Sequence, residues 1–227
     1  MNWKIQLCEL NYDENERAAC QSVIELEWLT MGARVAKFEK EFSKFLTLPY
    51  QSVAVSSATG GLHLILMALQ IGKGDEVIIP ELTFVSDANF VMQLGAQPVF
   101  ADSESLNNFN VSVESIKSKI TSKTKAIIVV HFAGYPMDLT DLKALCDVQN
   151  ITLIEDVAHA PGASIRNKMC GTLGHCSFFS FFSNKNLAVG EGGMVAALDI
   201  TLLEKIRSIR SHGMTSLTMD RHLGRAN

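Results

Sequence analysis

The chain has 227 residues, 47% of them hydrophobic, enough to bury an ordinary core and to form one large domain or one and a half. Its formal net charge is −4 and its 20 basic residues are scattered, so the basic stripe of a nucleic-acid binder is missing and a small-molecule ligand is the better expectation. The five cysteines, Cys8, Cys20, Cys146, Cys170 and Cys176, form no CxxC pair and no Cys/His spacing typical of zinc. That argues against a metal site or a disulfide framework and fits reduced thiols in the cytoplasm.

Residues 1–10 lack an apolar core long enough for a signal peptide, and the longest apolar run, at 126–133, is interrupted by His131, so neither export nor a membrane span is expected. From about residue 50, β-branched runs alternate with amphipathic segments. Residues 52–56 read as a strand and 60–70 as a helix, with Leu62, Leu66 and Leu69 on one face. Strands follow at 77–80, 98–101, 126–130 and 151–154, and helices at 85–94, 113–120 and 139–149. Near-continuous apolar strands separated by helices predict an α/β fold with a mostly parallel sheet covered on both faces. Residues 177–182 and 193–198 read as two further strands around a glycine-rich turn, with a helix at 202–212. Residues 214–227 are polar and aperiodic, so the architecture is expected to continue beyond them, leaving Ile206 and Ile209 of the last helix partly uncovered.

In an α/β sheet, ligands sit outside the carboxyl ends of the strands, and four strand exits carry informative residues. Small residues from Ser56 to Gly61 lead straight into a helix, a turn that lets backbone N–H groups approach an anion, with the Ser57 and Thr59 hydroxyls as further donors; simple N-capping is the plainer reading, and the two are compatible. After 77–80 comes Phe84, which either packs in the core or stacks on a planar ring. After 151–154 come Glu155, Asp156 and His159. An acid there can pair with a protonated pyridine nitrogen, although Asp156 also suits a turn and His159 a structural role. After the phenylalanine-rich strand comes Lys185, where an aromatic setting would desolvate the amine and lower its pKa as a Schiff-base lysine requires; the alternative is a solvated surface lysine.

Phosphate turn, aromatic, acid and lysine occur here in one order. The runs Val55-Ser56-Ser57-Ala58-Thr59-Gly60-Gly61-Leu62-His63-Leu64, Gly74 to Pro80 with Thr83-Phe84-Val85, Glu155 to Ala160 and Ser180 to Gly193 closely resemble the DegT/DnrJ family of nucleotide-sugar aminotransferases. Trp28 to Gly32 and Arg210-Ser211-His212-Gly213 are similar to that family as well. The resemblance implies a fold-type-I enzyme dependent on pyridoxal 5′-phosphate, divided into an N-terminal arm and substrate loop at 1–35, a cofactor-binding large domain at 36–213, and at 214–227 the start of a connection to a C-terminal domain. By position it implies that Lys185 holds the cofactor covalently, that Asp156 pairs with the pyridine nitrogen, and that His159, where many relatives have glutamine, lies by the ring near its 3′ oxygen. It further implies that Phe84 stacks on the ring, that Ala58, Thr59 and Ser180 hold the phosphate, and that Trp28, Leu29 and Thr30 meet the substrate.

The implied reaction takes an amino group from a donor such as glutamate to a nucleotide-diphosphate-linked keto sugar, in a homodimer, without nucleic acid or membrane. A sugar dehydratase of the same family would carry histidine where this chain has Lys185. A dinucleotide oxidoreductase is disfavoured because neither Gly72-Lys73-Gly74 nor Gly190-Glu191-Gly192-Gly193 makes GxGxxG after a first strand. A truncated, inactive or regulatory member of the family is the remaining expectation.

Overall fold

The computed structural model describes residues 4–5, 8–26, 28–50, 52–214 and 224. Most of the segment assigned to a connection at 214–227 therefore lies outside the described residues. The chain opens with two helices, α1 (Glu14–Glu25) and α2 (Ala33–Phe45), and then enters the sheet at β1 (Val53–Val55). Next come α3 (Ala58–Ala68), β2 (Glu76–Pro80), α4 (Ser86–Gln93) and β3 (Gln97–Ala101), followed by the small hairpin of β4 (Ser103–Ser105) and β5 (Asn108–Val111). The series continues through α5 (Val113–Lys119), β6 (Thr124–Val130), α6 (Thr140–Gln149) and β7 (Thr152–Asp156). A two-residue ribbon, β8 (Ser164–Ile165) with β9 (Lys168–Met169), precedes β10 (Cys176–Ser180), β11 (Gly193–Ala197) and α7 (Ile200–Arg210).

The seven-stranded sheet has the order β1-β11-β10-β7-β6-β2-β3. Its β10–β7, β7–β6, β6–β2 and β2–β3 pairings are parallel, while β11 runs antiparallel to both neighbours. The reason is connectivity. Parallel neighbours need a crossover, usually a helix, whereas β11 returns from β10 through the loop at 181–192 without one.

Alternate residues of each strand feed opposite cores. Val77, Ile79, Ile128, Ile154, Phe178 and Val195 pack under α3, α4 and α7, whereas Ile78, Ile127, Val129 and Leu153 pack against α5 and α6. Farther along the second face, Phe179, Met194 and Ala196 meet Phe42 of α2. Each fully buried Val, Ile, Leu or Phe contributes about 1.5–3 kcal/mol, so two covered faces supply most of the sheet's stability. Among the described residues no helix is long and apolar enough to cross a membrane.

Several expectations need correction. Glu155 and Asp156 do not follow the strand but end it: Asp156 is in register with Phe178 on one side and Val130 on the other. An acid can stay in the sheet there because Glu155 accepts the N–H groups of Gly171, Leu173 and Gly174, which replace water. Phe181 and Phe182 lie beyond β10, which stops at Ser180. Ile206 is fully buried, and Ile209 packs against the same core, because α7 lies on α3 and β11. The boundary drawn at residue 35 falls inside α2.

Two helices had no counterpart in the strand-helix pattern. α1 buries no residue, so no apolar stripe marks it; an Asp13/Glu16 capping box fixes its start. α2 presents Phe38 and Phe42 one turn apart, and Phe42 meets Phe179 and Phe181 edge-on at 4.9 and 5.4 Å.

Candidate functional site

The carboxyl ends of β2, β7 and β10, together with the start of α3 after β1, surround a cavity of about 400 Å³. Its wall takes Ser57 from the cap of α3 and Ala58 and Thr59 from its first turn, Thr83 and Phe84 from the turn after β2, Asp156 from β7, and Ser180 and Lys185 from β10 and its exit. The structure thus brings Ala58, Thr59, Phe84, Asp156, His159, Ser180 and Lys185 to one cavity.

Ser57 caps α3: its hydroxyl accepts the Gly60 N–H at 3.0 Å. The N–H groups of Ala58 and Thr59, the first two of the helix, have no carbonyl one turn back to receive them, and both residues face the cavity. The cap therefore leaves these two N–H groups free to meet an anion. Close backbone packing makes the turn possible. A Cβ at Gly193 of β11 would lie 2.6 Å from the Ser57 carbonyl carbon, 2.7 Å from the Ala58 nitrogen and 2.7 Å from the Phe179 oxygen. Any side chain there would push the start of α3 away from the sheet.

Asp156 is buried, its Oδ1 accepts the Ala158 N–H at 2.8 Å as a turn residue would, and it also lines the cavity. Burial pushes its carboxyl up to about 6, against the pull of the Ala158 N–H and the Lys185 charge. Behind it, His131 and Glu155 form a buried pair at 2.8 Å. The Met137 N–H donates to His131 Nδ1 at 3.0 Å, so that nitrogen is an acceptor, and Nε2 must carry the proton it gives to Glu155. Glu155 thus accepts from His131 and from three backbone N–H groups.

Lys185 is half-buried, not a fully solvated surface lysine. Burial lowers its pKa, and the Asp156 carboxylate resists that lowering. His159 is exposed and meets Phe132 edge-on at 6.2 Å; burial of part of the ring, and then the Lys185 charge, lower its pKa. Phe84 is 65% exposed, which rules out the core reading and leaves its ring open to the cavity. Ser180 is buried at the end of β10.

The cavity wall does not include Trp28, Leu29 or Thr30. The Trp28 indole N–H reaches the Met31 carbonyl at 3.4 Å, and Leu29 is exposed. Conversely, the wall includes Thr83, Ser86, Phe132, Asn184 and Glu191, which the sequence argument did not single out. Thr83 carried a signal, since it directly precedes Phe84. Phe132 carried none, because it arrives from the turn after β6.

Chemically, the set offers backbone donors for a dianion, an aromatic face, a buried carboxylate for a basic ring nitrogen, and an amine of lowered basicity. A flat, phosphorylated heterocycle bearing a carbonyl fits these groups.

The profile of a family described as the DegT/DnrJ/EryC1/StrS aminotransferase family matches residues 11–226. A GDP-perosamine synthase of Vibrio cholerae is 40% identical over 213 residues, covering 93% of this chain and 58% of that protein. The spore coat polysaccharide biosynthesis protein SpsC of Bacillus subtilis (strain 168) is 41% identical over 199 residues, covering 88% and 51%. Among solved structures, the aminotransferase TlmJ of Streptoalloteichus hindustanus superposes with a TM-score of 0.90 at 36% identity, covering 93% of this chain and 58% of that one. The chain spans between 51% and 58% of the length of these relatives.

Proposed function

Because the chain belongs to the DegT/DnrJ/EryC1/StrS aminotransferase family, we propose that it serves transfer of an amino group, from a donor such as glutamate, to a nucleotide-diphosphate-linked keto sugar, with pyridoxal phosphate as cofactor. The observation that carries this reading is the meeting of a desolvated Lys185 amine, the buried Asp156 carboxylate and the donor-rich start of α3 in one cavity. The names of the two curated relatives, a GDP-perosamine synthase and a polysaccharide biosynthesis protein, support a nucleotide-sugar substrate and an amino-sugar product.

When bound, pyridoxal phosphate supplies an electron sink conjugated to the amino group under transfer. The chain's residues supply the rest. Ala58 and Thr59 N–H groups and the Ser180 hydroxyl hold the phosphate, and Phe84 covers a ring face. Asp156 pairs with the ring nitrogen and keeps it protonated; a cation there favours the ionised carboxylate that burial alone disfavours. Lys185, its basicity reduced by burial, would hold the cofactor and would carry a proton to and from the donor's α-carbon. His159 sits beside the ring. Trp28, Leu29 and Thr30 contribute to the substrate side from outside the cavity wall. The large domain, with α2 as its first element, carries the cofactor, the arm before α2 serves the substrate, and the working unit is a homodimer in the cytoplasm. Lysine, not histidine, at position 185 favours transamination over dehydration.

The test is a panel of nucleotide-linked 3-keto and 4-keto sugars offered with glutamate and pyridoxal phosphate to a protein that carries this chain at the full length of its relatives, the 227 residues alone being expected to be inactive. Amino-sugar and 2-oxoglutarate formation in equal amounts is expected with at least one of them. Loss of the keto sugar's hydroxyl with release of ammonia and no amino sugar would replace transfer by dehydration.

A further inference from the structure

Asp87 stands in the first turn of α4 and is fully buried. Its Oδ2 accepts the Thr83 hydroxyl at 2.5 Å, and its Oδ1 is buried without a hydrogen-bond partner. Thr83 and Ser86, on either side of Phe84, line the same cavity as Asp156, and Asp87 lies immediately behind them in sequence and within reach of the Asp156 charge. Asp156 in turn feels Lys185 from the β10 exit and His131 from the β6 exit.

An ionised Asp87 would be out of water, held by neutral hydroxyls, bare on one oxygen and repelled by a second carboxylate. The start of α4 helps an anion, but as a partial charge at the end of a short helix it offsets only part of that cost. Burial first, and the Asp156 charge second, accordingly push the Asp87 carboxyl up to about 8, with the Thr83 and Ser86 hydroxyls opposing. Two like acids of unequal environment titrate as a pair, the better-solvated or better-paired member ionising first. Asp156 is that member, because it has the Ala158 N–H and the Lys185 charge.

We propose that Asp87 is a positioning residue that remains a neutral acid behind Asp156, so that Asp156 alone presents negative charge to the cofactor's ring nitrogen. One buried anion is balanced by one ring cation; a second anion would be left unpaired in the protein interior. The part of this proposal that concerns the ring nitrogen rests on the cofactor reading above, and the neutrality of Asp87 does not.

The cofactor-free chain, labelled with ¹³C in its aspartate carboxyls, should show one carboxyl titrating with a midpoint near 8. That signal should vanish in Asp87→Asn, which keeps the shape and an acceptor for Thr83, and should move to lower pH in Asp156→Asn. An Asp87 carboxyl that titrates below pH 5 would overturn the proposal, and this measurement on the unaltered chain decides even if the variant does not fold. A second readout is the melting temperature. The folded chain keeps a proton on Asp87 that the unfolded chain releases, so the unaltered chain should lose ground to Asp87→Asn as pH rises from about 4 to about 8, and run parallel above. A gap independent of pH is what a merely structural Thr83 contact would give, and it would count against the idea. With pyridoxal phosphate bound, the pH titration of the cofactor's absorbance should contain an inflection that Asp87→Asn removes; an unchanged profile would refute the link to the ring nitrogen. Failure of the unaltered chain to take up pyridoxal phosphate would instead overturn the cofactor reading, while the cofactor-free titration would still decide the state of Asp87.

Discussion

Replacing Asp156 with Asn separates what this residue does for the fold from what it does for the site. Asn keeps the shape and still offers an oxygen to the Ala158 N–H, which Asp156 Oδ1 accepts at 2.8 Å. What disappears is a buried charge whose carboxyl is pushed from the ordinary 3.8 up to about 6 in the cofactor-free protein. The folded chain therefore holds a proton that the unfolded chain has released, and stability falls as pH rises through the window from about 4 to about 6. That shift is worth about 3 kcal/mol at 1.36 kcal/mol per pKa unit. Without the carboxylate, the cofactor-free variant should gain about 3 kcal/mol at pH 8, or roughly 6–12 °C in melting temperature for a chain of this size, with the gain vanishing below pH 4. The site should respond in the opposite sense. Loss of one partner of a buried ion pair costs about 3–5 kcal/mol, or roughly 10²–10⁴ in amino-transfer rate if it falls on the transition state. Thermal melts from pH 4 to 8 and amino-transfer rates are the assays. A variant that is no more stable at pH 8 than at pH 4 relative to the parent, and that turns over at the parent's rate, would refute both halves.

Gly193→Ala should cost about 1–3 kcal/mol by forcing a methyl against Ser57 and Ala58, and should weaken phosphate binding at the α3 start more than it weakens the fold; equal affinity for pyridoxal phosphate by equilibrium dialysis would contradict this. Glu155→Gln puts an amide NH₂ where Gly171, Leu173, Gly174 and His131 all need an acceptor, so urea unfolding should show a loss of about 3–5 kcal/mol; a loss under about 1 kcal/mol would be that of an ordinary hydrogen bond. Because burial lowers its basicity, Lys185 should be acylated by an amine-selective reagent at lower pH than exposed Lys123, and coincident pH profiles would remove the desolvation argument.

The sheet was legible because its strands are buried on both faces and read as apolar runs, as the segment Thr124–Val130 does. Strand ends were less so. Asp156 and Glu155 look like exit residues in the sequence, and only the backbone donors at Gly171, Leu173 and Gly174, well along the chain, explain why β7 can hold them. α1 was invisible because it buries nothing, whereas the Phe38/Phe42 stripe of α2 was readable and went unread. In the site, Lys185 and the Ser57–Gly61 turn carried local signals. Asp87 did not: an Asp near a helix start reads as a solvated cap, and its burial follows from the way α4 packs over β2 and the cavity wall.

The central claim is that Lys185 is the cofactor-bearing amine of this cavity, and it is tested most directly by borohydride reduction of the chain with pyridoxal phosphate, followed by peptide mapping. The account predicts a single stable label on Lys185, lost in Lys185→Ala even where some cofactor remains held through its phosphate. A label on another lysine, or no label after saturating cofactor, would contradict it.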